Sequence, residues 1–394
     1  MRWISRIASS ALATTVAAGT LALAGPASAA TGTISQQVCP AKAGSAHCTA
    51  IHGTPVSTSG VTPLAATPSG LSPSDLLSAY GLAAAAASNG SSQTIAIVDA
   101  YNDPTAEADL AVYRSYFGLS ACTTANGCFS KVNQTGGTSY PATDGGWAEE
   151  ISLDLDMASA ICPNCKILLV EATSSTFANL GTAVNYAAAH ATVVSNSYGG
   201  SDARDSTYGS YYNHPGVAIT VSAGDSGYGV EYPASSHYVT AVGGTTLTKA
   251  SGTTRGWTET AWSGAGSGCS AYNTALTSAP STLTGCTRRA VADVSADANP
   301  STGVSVYDST AYQGYVGWLT FGGTSVAAPI IAGVFALAGN AASIDNNYPY
   351  THSSSFNDVT SGSNGSCSTT KWCTAGTGWD GPTGLGTPSG IGGF

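Results

Sequence analysis

Four short apolar runs, alternating with helical patterns, limit this chain to few architectures. They read TIAIVDA from Thr94, KILLVEA from Lys166, TVVSNS from Thr192 and VAITVSAG from Val217. Between them stand WAEEISLDLDMASAIC from Trp147 and FANLGTAVNYAAAH from Phe177, whose apolar spacing is helical. Strands alternating with helices predict an α/β fold, a mostly parallel, doubly wound sheet flanked by helices. In such sheets ligands bind beyond the carboxyl ends of the strands. VDAYND, SNSYGG and SAGDSG stand at those ends. The stretch from about 245 to 290 reads as loop-rich.

The first residues, MRWISRIASSALATTVAAGTLALAGPASAA, carry Arg2 and Arg6, then a short apolar stretch, then small residues ending Ala27-Ser28-Ala29. That order predicts a signal peptide over residues 1–29, cleaved after Ala29, and hence a secreted, extracellular protein. No later run approaches ~20 apolar residues, so no membrane attachment is expected after cleavage. Residues 30–70, rich in Ser, Thr, Gly, Pro and Ala, read as a loose leader, and residues 71–394 as a single large domain.

Charged residues make up only 9% of the chain, with a net charge of −10, and basic runs are missing, which argues against nucleic acid as a partner. Few carboxylates also means few groups whose protonation would unfold the protein in acid. Ten cysteines fall into five close couples: Cys39/Cys48, Cys122/Cys128, Cys162/Cys165, Cys269/Cys286 and Cys367/Cys373. In an oxidising compartment these read as disulfides between neighbours. CPNC at Cys162 has no second CxxC and reads as a structural bridge.

Chemistry first appears in FGGTSVAAPIIAGVFALAG, from Phe321. Two glycines allow a tight backbone path, and Ser325 then opens an apolar helix, among N–H groups that favour developing negative charge. Pro329 is expected in the first turn, where its missing N–H costs nothing. A nucleophilic serine needs a base, usually histidine. None of the six histidines lies in a suitable setting.

The helix from Trp147 offers a substitute. Glu150 and Asp154, four apart, share one face, whereas Glu149 has Leu153 at that spacing and Asp156 points elsewhere. Two close carboxyls split their titrations, so one can serve as base in acid with the other orienting it. Asp225, at the strand end in SAGDSG, is a candidate for a protonated carboxyl that donates to an oxyanion.

These residues, with the ordered blocks EEISLDLDMASAICP, SNSYGG, SAGDSG, YPASSHYVTAVGGTTL, ETAWSGAGSG, RRAVADVSADANP, GGTSVAAP and GWDGPTGLGTP, resemble the sedolisin family of serine-carboxyl peptidases. The match runs from about Ser72 to Phe394. The resemblance implies a subtilisin-like fold and acid-active endopeptidase function on protein or peptide substrates, by a monomer. It implies a triad of Glu150, Asp154 and Ser325, with Asp225 as oxyanion residue. It also implies one calcium ion in a C-terminal segment, residues 356–388, held by Asp358, Val359, Gly376, Gly378 and Asp380, where carboxylates and backbone carbonyls are hard oxygen ligands. Members of the family usually carry a large folded propeptide; here some forty residues stand between the signal-like segment and the domain.

Other readings are weaker. SAHC at Ser45 and GDSG at Gly224 would suit a chymotrypsin-like protease with His47 as base and Ser226 as nucleophile, but that fold needs β-barrels. An ordinary subtilisin needs a histidine opening a helix after the first strand, and the only HG, His52-Gly53, lies upstream of that strand. Asp99 in IVDAY reads as a strand-end residue at the cleft. A G-x-S-x-G elbow of an α/β-hydrolase is missing. A non-catalytic, peptide-binding or structural relative of the same fold is the remaining alternative. Tyr198 and Trp262 are candidate cleft residues.

Overall fold

The structure, a computed structural model, describes residues 67–394 continuously and, before them, Met1 and residues 32–33, 36–40, 42, 44–53 and 55–56. Beyond Met1, the signal-like segment lies outside the described residues.

The four apolar runs form the centre of an eight-stranded sheet. Its strands are β1 (Thr94–Ala100), β2 (Phe129–Asn133), β3 (Lys166–Ala172), β4 (Val193–Asn196), β5 (Ala218–Ser222), β6 (Thr240–Lys249), β7 (Trp257–Ala261) and β8 (Val294–Asp297). They lie in the order β7-β6-β5-β4-β1-β3-β2, with β8 also paired to β6. All pairs are parallel except β6 with β7. β1, β3 and β4 are near-continuous apolar runs because helices cover both sheet faces. The strand order reverses between β1 and β4, so their carboxyl ends open the crevice where such sheets bind ligands.

Helices α1 (Ala106–Tyr116), α2 (Gly145–Ile161) and α3 (Phe177–His190) connect these strands, and α4 (Thr324–Ala338) follows a hairpin of β9 (Val304–Tyr312) and β10 (Tyr315–Gly322). Asp144 caps α2 by accepting the Trp147 N–H at 3.1 Å. From Gly146 onward every residue of α2 is buried. The expected helix is thus enclosed on all sides, with α4 against it. Gly333 makes that contact close, since a Cβ on it would lie 2.7 Å from Ile161. Each large apolar side chain enclosed at this crossing contributes roughly 1.5–3 kcal/mol.

Pro329 departs from expectation. It sits in the second turn of α4, five residues after the first helical residue, Thr324. A proline there removes the hydrogen bond that the Ser325 carbonyl would otherwise accept. The Ser197 hydroxyl stands 3.5 Å from that carbonyl instead.

Several of the described residues before residue 57 are paired in short strands. His47–Cys48 pairs antiparallel with Tyr198–Gly199, and Ile51–His52 pairs with Phe321–Gly322 on one side and Gln36–Gln37 on the other. These two-residue strands have no periodicity that a sequence reading can register. The five expected disulfides are all formed, Cys39–Cys48 within this leader. No helix among the described residues is long and apolar enough to cross a membrane.

Candidate active site

Ser325 is the second residue of α4, buried at the cleft between β4, β5 and α2. Gly323 caps the helix with φ +97°, a conformation that favours glycine. A side chain there is excluded twice over, because its Cβ would lie 2.0 Å from Thr49 O and 2.6 Å from Asp225 Oδ2. The Ser325 N–H donates to the Thr49 carbonyl at 3.3 Å. Ser325 Oγ lies 2.8 Å from Thr49 Oγ1 and 3.4 Å from Ser197 O. Since Thr49 donates its hydrogen to Ser222 Oγ at 2.7 Å, Ser325 is the donor to Thr49.

The structure brings Glu150, Asp154 and Asp225 to this serine. Glu150 is fully enclosed, and its carboxyl is pushed far up by burial, then by the charges of Asp154 and Asp99, while the Ser325 hydroxyl beside it acts the other way. No other polar group closes on either Glu150 oxygen. Asp154, one turn on, is raised by burial and by Asp99, and held down by the Ser197 hydroxyl, which donates to its Oδ1 at 2.7 Å. Asp225, just beyond β5, is raised to about 7 by burial, against two bonds from Thr324: its N–H at 2.7 Å and its hydroxyl at 2.8 Å, both to Oδ1. Asp225 Oδ2 makes no hydrogen bond. That oxygen and the Thr49 carbonyl both stand beside Gly323.

Asp99 belongs to this cluster too. It sits near the end of β1, wholly buried, with both oxygens unpartnered, and it is raised by burial and by Glu171. Its signal was an acid closing an apolar strand at the switch point. Ser197 and Ser222, on the ends of β4 and β5, had no signal beyond their position. Asp156 is a structural acid: buried, it accepts the Tyr307 N–H at 3.0 Å. Tyr198 is buried with its hydroxyl donating to Asn196 at 2.9 Å, whereas Trp262 packs with Ile51, Ala265 and Ala298.

No imidazole makes a hydrogen bond to Ser325 among the described residues. His47 Nε2 lies 3.7 Å from Glu231, and His52 Nε2 lies 3.1 Å from Glu149. Both members of the second pair are buried; burial lowers His52 to about 4 and raises Glu149 to about 9. Glu149 is therefore enclosed and paired rather than a solvated neighbour of Glu150. Ser226, the nucleophile of the chymotrypsin-like alternative, sits in the turn after β5 within an α/β sheet.

In the C-terminal segment, Gly376 N–H donates to Asp380 Oδ2 at 3.0 Å and Gly378 N–H to Asp358 Oδ2 at 2.9 Å. Asp380 is raised to about 7 by burial, with Asp358 adding repulsion. Carboxylates among glycine turns are hard oxygen donors of the kind a cation such as calcium takes. Among the described residues no group of three or more His, Cys, Asp or Glu is arranged to hold a metal.

Residues 130–354 match the Subtilase family, Peptidase_S8. Kumamolisin from Bacillus sp. (strain MN-32) is 31% identical over 342 residues, which are 77% of this chain and 59% of that protein. Sedolisin from Pseudomonas sp. (strain 101) is 35% identical over 206 residues, 44% of this chain and 33% of that protein. The chain thus spans less than two thirds of the length of these curated relatives. Among solved structures, Pseudomonas sedolisin, a serine-carboxyl proteinase complexed with two molecules of pseudo-iodotyrostatin, is similar with a TM-score of 0.66 and 27% identity, covering 82% of this chain and 96% of that one. Sphericase, at 21% identity and a TM-score of 0.50, covering 76% of this chain and 92% of its own, shares the fold.

Proposed function

Because this chain belongs to the subtilase family, and within it to the sedolisin branch, we propose that it is a secreted, acid-active serine-carboxyl endopeptidase acting on protein or peptide substrates. One observation carries the reading: three buried carboxyls, Glu150, Asp154 and Asp225, gather at Ser325, and among the described residues no imidazole bonds its hydroxyl. Ser325 Oγ attacks the substrate carbonyl carbon while Glu150 takes its proton. Asp154 holds Glu150 by sharing charge and proton with it, and Asp99 extends that sharing. The tetrahedral oxyanion receives hydrogen bonds from the Ser325 N–H and from protonated Asp225. Two such donors in a dry site supply the largest electrostatic contribution available here. Collapse returns the Glu150 proton to the leaving amine, and water then releases the acyl group from Ser325.

Secretion is supported by the signal-like residues 1–29 and by five disulfides. We divide the rest into a leader at residues 30–70 and a peptidase domain at residues 71–394. A calcium ion at Asp358, Val359, Gly376, Gly378 and Asp380 would cancel the repulsion between the two carboxylates and brace the C-terminal segment. The test is a pH–rate profile on a peptide library, run beside Ser325→Ala. Activity should peak below neutral pH and vanish in the variant. A peak near pH 8 that is abolished by histidine modification refutes the mechanism.

A further inference from the structure

The turn that carries Asp225 is held from outside, by two segments later in the chain. One is the glycine-rich stretch 264–268. Gly266 N–H donates to Gly224 O at 2.7 Å, and Gly227 N–H donates to Gly264 O at 2.8 Å. Gly229 and Ser267 exchange N–H bonds at 2.9 and 3.0 Å. A Cβ on Gly266 would lie 2.0 Å from Ala223 O, so glycine is what lets the two backbones approach this closely. The other is the C-terminal segment, which reaches the turn through Asn364. This residue is 3% exposed, and its carbonyl accepts the Tyr228 N–H at 2.8 Å. A Cβ on Gly227 would lie 2.6 Å from that same carbonyl. The Asn364 amide also reaches the glycine-rich stretch, donating to Ala265 O at 2.6 Å and to Ser267 Oγ at 2.7 Å. A main-chain carbonyl only accepts, so the Ala265 bond fixes which end of the amide is nitrogen. Ser267 Oγ gives its own hydrogen to Trp372 O at 2.6 Å, and Asn364 N–H donates to Cys373 O at 3.0 Å. The Cys367–Cys373 disulfide closes that loop.

We propose that Asn364 is a positioning residue for the oxyanion step: it locks the Asp225 turn to the glycine-rich stretch and so sets where the Asp225 carboxyl stands. This role rests on the reading of Asp225 as an oxyanion donor. Asn364 itself makes no hydrogen bond to Asp225 or Ser325 and acts through the turn between them. Thr324 anchors one Asp225 oxygen, Oδ1, which leaves the direction of the other oxygen to the main chain. A donor that stabilises a transition state must be in place before the charge develops, so that main chain has to be fixed in advance. An asparagine suits the task because one residue supplies a main-chain acceptor, a main-chain donor and an amide that donates twice. The turn is thereby clamped from the C-terminal segment, whose own loop the disulfide keeps closed.

The test is a double-mutant cycle of Asn364→Ala and Asp225→Ala in the full chain, with kcat and KM on a peptide substrate measured separately at acid pH. Alone, Asn364→Ala should lower kcat by ~10–10²-fold, the cost of a misplaced group, and change KM by less than about 2-fold. In the Asp225→Ala background the same substitution should cost less than about 3-fold, because the carboxyl it positions is already gone. A residue that only holds the fold would cost the same factor in both backgrounds, and that result overturns the proposal. An unchanged kcat in Asn364→Ala overturns it as well. In both cases a loss on Asp225→Ala leaves the catalytic reading standing. If Asp225→Ala itself leaves kcat unchanged, the oxyanion reading falls, and the proposal with it. Should Asn364→Ala fail to fold, the paired change Cys367→Ala and Cys373→Ala loosens the same segment while keeping Asn364. It should lower kcat where Asp225 is present and not where Asp225 is replaced; equal loss in both backgrounds overturns the proposal.

Discussion

Glu150 and Asp293 are both fully enclosed acids, yet their surroundings are opposites. Arg289 grips Asp293 with two nitrogens, at 2.8 and 2.5 Å, and the Ala241 N–H and the Tyr350 hydroxyl add bonds at 2.7 and 2.6 Å. Arg289 itself is bonded to the Ser236 and Val239 carbonyls. Nothing there is left to react. Around Glu150 the neighbours are other acids, serine and threonine hydroxyls, and oxygens without partners. Buried polar groups in folded proteins are nearly always satisfied, so a cluster left bare calls for a reason, and the catalysis we propose would be one.

Substitutions separate the two regions. Glu150→Gln removes the base and should lower kcat by a factor on the order of 10³–10⁴ or more, with folding retained, as seen by steady-state kinetics and circular dichroism. Asp293→Ala should do the reverse, costing about 3–5 kcal/mol in chemical denaturation by stranding Arg289; an unchanged midpoint would break the comparison. Asp225→Ala should cost roughly 10²–10³ in kcat, since it removes one oxyanion donor, whereas Asp225→Asn keeps an N–H donor at that position and should cost less.

The pH dependence of stability sharpens the same contrast. Asp225 and Glu171 are raised to about 7, and Glu231 to about 8. The folded state keeps those protons where the unfolded chain has released them. Stability from these groups is therefore full below about pH 4 and lost as pH rises through 7–8. Denaturation midpoints measured across that range should fall with rising pH; a rise would contradict the raised values. Chelation is expected to have the smallest effect, a fall in melting temperature set by mass action, and an unchanged curve would discard calcium.

The sheet was legible because TIAIVDA and KILLVEA are buried on both faces and therefore apolar throughout, a signal that does not depend on the rest of the chain. Helical spacing alone set Glu150 and Asp154 on one face, and the structure turns that face toward Ser325. It did not reveal that α2 is enclosed all round, with His52 3.1 Å from Glu149. Residues 47–52 carried no periodicity because their partners, Tyr198–Gly199 and Phe321–Gly322, lie far along the chain. Asp99 was noticed but underrated, since its neighbours in the site come from other elements. Pro329 obeyed its tertiary neighbour rather than the local rule that confines proline to a first turn.

That proline has a mechanical consequence. With no N–H at position 329, the nucleophile's turn is unlatched from the helix behind it, and its carbonyl stands beside a hydroxyl on the opposite jaw of the cleft, Ser197. The single hydrogen on that hydroxyl goes either to Asp154 or across to Ser325. When Asp154 carries its own proton and bonds to Ser197 with it, the hydroxyl is released to clasp the serine's turn. The protonation state of one acid thus sets how firmly the attacking residue is tied to the wall along which a substrate lies.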